Sequence, residues 1–427
     1  MCGPLCQSRP MSAQRAEDRV EGTPSIARVA NEPTVAGFRF AAAACGMRFV
    51  GRDDLGLIVC DMPATWAGVY TTSSAPGAPV VVGRELLRKG KPLRAILVNA
   101  GIANAGTGKA GVRDCRRVAA LVAKALGVGE RDVVGSSTGR IGPRIDVAKI
   151  QGALPALVEG LASDRSMGVA RAMMTSDSVP KRAVARCTVD GHAVTLLGVS
   201  KGSGMIGPKM ATTLSFLVTD AAAKRPFLQE ALVEAVGASL NQLVIDGDTS
   251  TSDTCLLLAS GAAGNVPLRR RHRDAAVFRA ALATLTADLA RQLARDGEAA
   301  TKLFVVRVRG AKRVEQARAA ARAIAGSTLM KTSIGGGRLD WGRVIAALGS
   351  SGAQYVHERF TLSYGEAVLV KKGKHQGRRA AAAALAHLGE REIRLTVDLG
   401  LGRGEAEAFG CDLTEGYVRE NSAPLPT

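Results

Sequence analysis

The stretch KGSGMIGPKMATTLSFLVTDA, Lys201 to Ala221, constrains this chain more than any other. A strand-like run, HAVTLLGVS (His192 to Ser200), enters a glycine-rich turn, and the β-branched run TTLSFLVTD leaves it with no polar loop between them. Two strands are therefore expected to meet at Ala211 and Thr212. A threonine hydroxyl is a poor nucleophile without an adjacent base. If Thr212 attacked the carbonyl of Ala211 and the ester hydrolysed, Thr212 would gain a free α-amine with a pKa of about 8. Nucleophile and base would then be one residue.

Two other readings compete. Gly202, Gly204 and Gly207 spell the G-x-G-x-x-G of a dinucleotide site, but that motif needs a helix N-terminus after its last glycine, and here Pro208 and a β-branched run follow. The remaining alternative is a glycine turn with no chemistry.

Against that alternative stands a long motif match. The segment resembles that of the ornithine acetyltransferases, also called bifunctional glutamate N-acetyltransferases, in which KGxGM-x-x-P-x-x-ATxL carries self-cleavage between the alanine and the threonine. The matching residues are Lys201, Gly202, Gly204, Met205, Pro208, Ala211, Thr212 and Leu214. Thr213 takes a position usually held by methionine in that family.

A chain of 427 residues is long enough for full cores in two or more domains. No apolar run approaches the length that spans a membrane. Residues 1 to 32 are polar and aperiodic, read as a disordered tail with no signal or transit character, and Met11 is an alternative start. The expected location is the cytoplasm. The eight cysteines are scattered without zinc-ligand spacing, which points to neither disulfides nor a metal site. A net charge of +19 permits polyanions or acidic substrates. Its arginine and lysine clusters, Arg269–Arg273 and Lys371–Arg379, lack interleaved aromatics, so a solvated face is preferred over nucleic-acid binding.

Ordered structure is expected from GFRFAAAACGMRF (Gly37 to Phe49), followed by short strands LGLIVCD, WAGVYTT and APVVVG. LRAILVN forms a buried strand leading into AGTGKAG, which is similar to a phosphate-binding loop but has Ala103 and Ala110 where that loop needs Gly and Ser or Thr. Helices are predicted over about Arg113 to Leu126, over RPFLQEALVEAVGASLNQ and over about Asp274 to Arg295, and another is expected to end near Asp177. Asp246, Asp248 and Asp253 lack the closing glutamate of a calcium loop and are read as support for the site.

The resemblance extends over nearly the whole ordered chain and implies roles for particular residues. Acyl transfer needs donors placed for the oxyanion, and the Thr-Gly pair of VVGSSTGRIG supplies a hydroxyl and a backbone N–H. In the family this pair is the oxyanion hole, here Thr138 and Gly139. ARAMMTSDSVPK resembles M-T-T-D-T-x-P-K and gives Thr175 as a substrate residue, with a capping role for Ser176 or Asp177 as the alternative. DGEAATK gives Glu298, Y-V-R-x-N gives Asn421, and Lys201 joins them at the charged ends of an amino-acid substrate. The family's terminal Ser or Thr falls at Pro426, one residue before Thr427. Asn99 and Asn104 match an asparagine-rich loop, whereas Gly101 and Ile102 depart from it. SIGGGRLDWGRV resembles a strand-to-helix turn and retains Trp341, Gly342 and Arg343.

The fold implied is a mixed α/β, four-layer αββα sandwich. An α chain (33–211) and a β chain (212–427) would stay associated as α2β2. The implied reaction moves acetyl from N-acetylornithine to glutamate through acetyl-Thr212, in arginine biosynthesis. No cofactor or metal is implied, with acetyl-CoA open as an alternative donor. Lys209, Ser176, Ser178 and Arg140 depart from the family pattern and suggest a shifted acceptor. The rival functions are an N-terminal-threonine amidase or peptidase and a binding protein that kept the fold.

Overall fold

The computed structural model describes residues 32–207 and 213–423, with the backbone of Ser25–Ile26. Ala211, Thr212 and Thr427 lie outside the described residues, as does most of the segment expected to be a tail.

The first half runs β1 (Ser25–Ile26), β2 (Phe38–Ala43), β3 (Leu55–Tyr70), α1 (Ala78–Lys89), β4 (Leu93–Asn99), α2 (Gly108–Leu126) and β5 (Val133–Ser137). It continues through α3 (Val147–Glu159), α4 (Ser166–Ala172), β6 (Lys181–Val189) and β7 (His192–Lys201). After the glycine turn come β8 (Leu214–Thr219), α5 (Arg225–Ala238), β9 (Leu243–Val244), β10 (Thr254–Ala259), α6 (Ala275–Arg295) and β11 (Leu303–Ala311). The remainder is α7 (Val314–Gly326), α8 (Thr328–Gly335), α9 (Trp341–Ser350), β12 (Thr361–Tyr364), β13 (Ala367–Lys371), β14 (Lys374–His375), α10 (Gly377–Leu388), β15 (Glu392–Asp398), β16 (Gly404–Cys411) and α11 (Glu415–Ser422).

Strand β3 makes the architecture. Its first half, Leu55–Val59, pairs with β2 and β4, while Thr65–Tyr70 pairs with β10, and the ladder to β4 slips between Val59 and Ala64. The exposed Asp61, Met62 and Pro63 lie at that slip, and Pro63 has no N–H to donate to a ladder. The two short strands expected here are thus one strand, bent at Pro63. The bend folds the sheet β1-β6-β7-β8-β10-β3-β4-β5 back on itself. Phe40, Ile58, Ile96 and Val98 of one leaf share a core with Leu197, Val199, Phe216, Val218 and Leu256 of the other.

Period-two alternation sends the intervening residues outward. Leu55, Leu57, Ala95 and Leu97 pack on α2 and α3, and Leu196, Leu217 and Leu257 pack on α5 and α6. The order helices, leaf, leaf, helices is the αββα sandwich. A further layer follows that the sequence did not separate. Helix α6 also buries Leu303, Val305 and Phe409 of a second sheet, β14-β13-β12-β15-β11-β16-β9, whose other face carries α7 to α10. Lying between two sheets explains why α6 buries Phe278, Ala281, Leu282, Leu285, Leu289 and Leu293.

Two local expectations are corrected. APVVVG is not a strand but the start of α1, because Pro79 fits the first helical turn and the apolar spacing continues through Leu86 and Leu87. The approach to Trp341 is helix-to-helix, from α8 to α9, rather than strand-to-helix. Two helix ends also move: α2 begins at Gly108, and α4 ends at Ala172, short of Asp177.

Candidate active site

The site is built where four strands share one edge. In one row across the sheet, Lys201 at the end of β7 pairs with Leu214 at the start of β8, Leu214 with Thr254 at the start of β10, and Thr254 with Tyr70 at the end of β3. On the opposite leaf, Thr138 follows β5, and its N–H donates to Asn99 O at 3.0 Å. Gly139 has φ +122°, and a Cβ there would lie 2.3 Å from the Gly101 carbonyl carbon, so the position accepts only glycine. Its N–H has no acceptor among the described residues.

Lys201 joins the two leaves. Its Nζ donates to Thr175 Oγ1 at 2.6 Å and to Thr138 Oγ1 at 3.3 Å, and lies 3.7 Å from Asp177 Oδ2. Because the Thr138 oxygen accepts from Lys201, its own proton is left to point elsewhere. Burial lowers the Lys201 pKa, and the Asp177 carboxylate opposes that shift. Burial also works to raise Asp177, but Lys201 and Lys181 overcome it and hold the carboxyl well below the usual range. Asp177 further accepts from Gly202 N at 2.6 Å and from Thr175 N at 3.0 Å, so it fixes both the glycine turn and Thr175. Lys181, fully buried, bridges Asp177 and Asp296.

A second group adjoins the first. Glu298 Oε1 accepts from Ser176 Oγ at 2.8 Å, Glu298 Oε2 accepts from Asn421 Nδ2 at 3.0 Å, and Ser176 Oγ lies 2.7 Å from Ser203 Oγ. Gly204 makes room for this group, since a Cβ there would stand 2.2 Å from the Glu298 carboxyl carbon. Burial, followed by the nearby carboxylate charge of Asp246, pushes the hydroxyl of Tyr417 in α11 up to about 12.

The structure thus brings Thr138, Gly139, Thr175, Lys201, Glu298 and Asn421 around one edge. Sequence reasoning did not single out Lys181, Ser203 or Asp296, nor the central place of Asp177. The four-residue spacing of Asp177 and Lys181 inside the quoted motif was the available signal. After Gly207 the next described element is β8, and the residues between, 208–212, where the dinucleotide motif would need its helix to start, lie outside the described residues.

The ArgJ family model matches residues 39–423. The chain belongs to the ArgJ family. It is 42% identical over 390 residues to the arginine biosynthesis bifunctional protein ArgJ of Geobacillus kaustophilus, covering 91% of this chain and 95% of that protein. With ArgJ of Thermus thermophilus it shares 44% over 392 residues, 90% of this chain and 97% of that one. Among solved structures, an ArgJ crystal structure from Bacillus halodurans is 41% identical with a TM-score of 0.46, over 48% of this chain and 95% of that chain. Ornithine acetyltransferase from Mycobacterium tuberculosis, complexed with ornithine, is 30% identical with a TM-score of 0.40, over 45% of this chain and 100% of that one. Six cysteines of this ArgJ-family chain are described, and all six are free thiols. Among its described residues no helix is long and apolar enough to cross a membrane.

Proposed function

We propose that this ArgJ-family protein is a glutamate N-acetyltransferase that moves acetyl from N-acetylornithine to glutamate through an ester on Thr212. The observation that carries the reading is Lys201, held between Thr138 and Thr175 at the edge where β8 begins. In the first event Thr212 Oγ attacks the Ala211 carbonyl and the peptide nitrogen leaves as the Thr212 α-amine. Water then hydrolyses the Ala211 ester and frees the hydroxyl.

In the transfer, Thr212 Oγ attacks the acetyl carbonyl of the donor while the Thr212 amine takes the hydroxyl proton. The Thr138 hydroxyl and the Gly139 N–H stabilise the oxyanion. Collapse expels ornithine, whose departing amine takes that proton. The glutamate amine attacks the acetyl ester, passes a proton to the Thr212 amine, and leaves as N-acetylglutamate as the hydroxyl is restored. Thr175, Lys201, Glu298, Asn421 and Thr427 hold the amino-acid substrate. The sequence requires no cofactor for these steps, and acetyl-CoA enters the assay as a second donor.

The two chains stay together after the cut. Supporting this, β7 pairs with β8 from Leu196↔Thr219 to Lys201↔Leu214, so strands from both sides of position 211 lie in one ladder. The assembly is α2β2 in the cytoplasm. Incubation with N-acetylornithine should add one acetyl group to the chain beginning at Thr212, and glutamate should remove it. Release of acetate without glutamate, at the rate of transfer, would make the protein an amidase.

A further inference from the structure

The loop that joins β9 to β10, Ile245 to Asp253, places one carboxylate on each flank of the segment containing Ala211 and Thr212. Upstream, Asp246 accepts from Met205 N at 2.6 Å and Ile206 N at 2.8 Å. Downstream, Asp253 Oδ1 accepts from Thr213 N at 2.8 Å. The backbone of Asp253 is itself tied down, its carbonyl accepting from Thr71 N at 2.9 Å, and Thr254 N donates to Thr213 O at 3.0 Å. Asp253 is fully buried. Its Oδ2 has no partner among the described residues, and neither has Thr213 Oγ1.

The nitrogen of Thr213 is bonded covalently to the carbonyl carbon of Thr212. A hydrogen bond to that N–H therefore fixes the peptide plane from which the Thr212 side chain and amine project. We propose that Asp253 is a positioning residue for the nucleophile, holding the Thr212–Thr213 peptide through Oδ1 in the form of a neutral acid. Burial supports the neutral form by pushing this carboxyl well above the usual range, against the Thr213 N–H and the charge of Lys201, which pull it down. Ionised, the group would leave a buried carboxylate oxygen without a donor among the described residues; protonated, it keeps the same acceptor oxygen. The inference rests on the proposed role of Thr212.

The test follows self-cleavage of full-length chain made in a cell-free system, by intact mass against time, and then turnover of the two-chain product. Asp253→Ala leaves a buried N–H unpaired and should slow cleavage by about ten- to a hundredfold. In the matured fraction it should lower kcat by a similar factor with KM for N-acetylornithine within about threefold, because the Asp253 side chain hydrogen-bonds Thr213 N and, among the described residues, none of Thr175, Lys201, Glu298 and Asn421. Asp253→Asn keeps an oxygen acceptor and should cleave within about tenfold of wild type, with an unshifted pH profile. Cleavage by Asp253→Ala at the wild-type rate overturns the proposal. So does an Asn variant as slow as the Ala variant, or a KM that rises as steeply as kcat falls. If the Ala variant does not fold, the rate and pH profile of Asp253→Asn decide alone. Failure of the wild type to cleave defeats the proposed function instead.

Discussion

Lys201 Nζ stands 2.6 Å from the Thr175 hydroxyl and 3.3 Å from that of Thr138, so one buried amine touches both the threonine assigned to substrate and the one assigned to the oxyanion. Neither threonine is near Lys201 in sequence. The contact exists because β7 of one leaf ends opposite the turn after β5 of the other.

Thr138→Ala should lower turnover by about 10²-fold or more while N-acetylornithine still binds. Thr138→Ser, which keeps the hydroxyl, should recover most of it. Steady-state kinetics beside equilibrium binding separates the two effects, and an unchanged kcat would assign Thr138 to turn structure.

Thr212→Ala should leave a single uncut chain without transferase activity, because hydroxyl and later base vanish together. Thr213→Ala should still be cut, since the buried Thr213 hydroxyl has no partner among the described residues. Gel electrophoresis under denaturing conditions reads both.

Asp177 carries a pH dependence whose sign can be worked out. Its folded-state pKa lies below the unfolded value of about 3.9, so its stabilisation is complete above that value and disappears as pH falls through the folded one. Lys201 acts oppositely: its lowered pKa costs stability at neutral pH, and the cost fades as pH rises towards its ordinary value. Asp177→Ala should lose about 3–5 kcal/mol at pH 7 by leaving Lys181 and Lys201 undercompensated. Urea melts at pH 7 and pH 3 should show the gap to wild type shrinking in acid.

Gly204→Ala should displace Glu298, whose carboxyl carbon would be 2.2 Å from the new Cβ. The expected outcome is a KM for N-acetylornithine raised about tenfold or more, as befits loss of one charge-assisted hydrogen bond. Self-cleavage should persist.

Acceptor choice should differ from glutamate alone, because Ser176, where the family pattern has threonine, lies within hydrogen-bond reach of Glu298. A panel of amino acids and amines offered to the acetylated protein tests this, and glutamate outrunning every other acceptor would count against it.

The sequence by itself determined the local chemistry. Strand β7, the turn at Lys201 to Gly207 and the start of β8 could be read from it, because period-two apolar alternation and glycine placement are written residue by residue; Thr138, Thr175, Glu298 and Asn421 are reached only through the resemblance of their motifs to those of the ornithine acetyltransferases. Only the tertiary structure decided that β3 is one bent strand, that APVVVG opens a helix, and that α6 lies between two sheets. A run of valines suits either element until its neighbours are known. The structure alone also gave Asp177 its place between Lys181 and Lys201, and Asp246 and Asp253 theirs on either flank of the glycine turn and the strand that follows. Those contacts span up to about forty residues of chain. Their strength comes from burial, a property of the packed sandwich that no single segment carries.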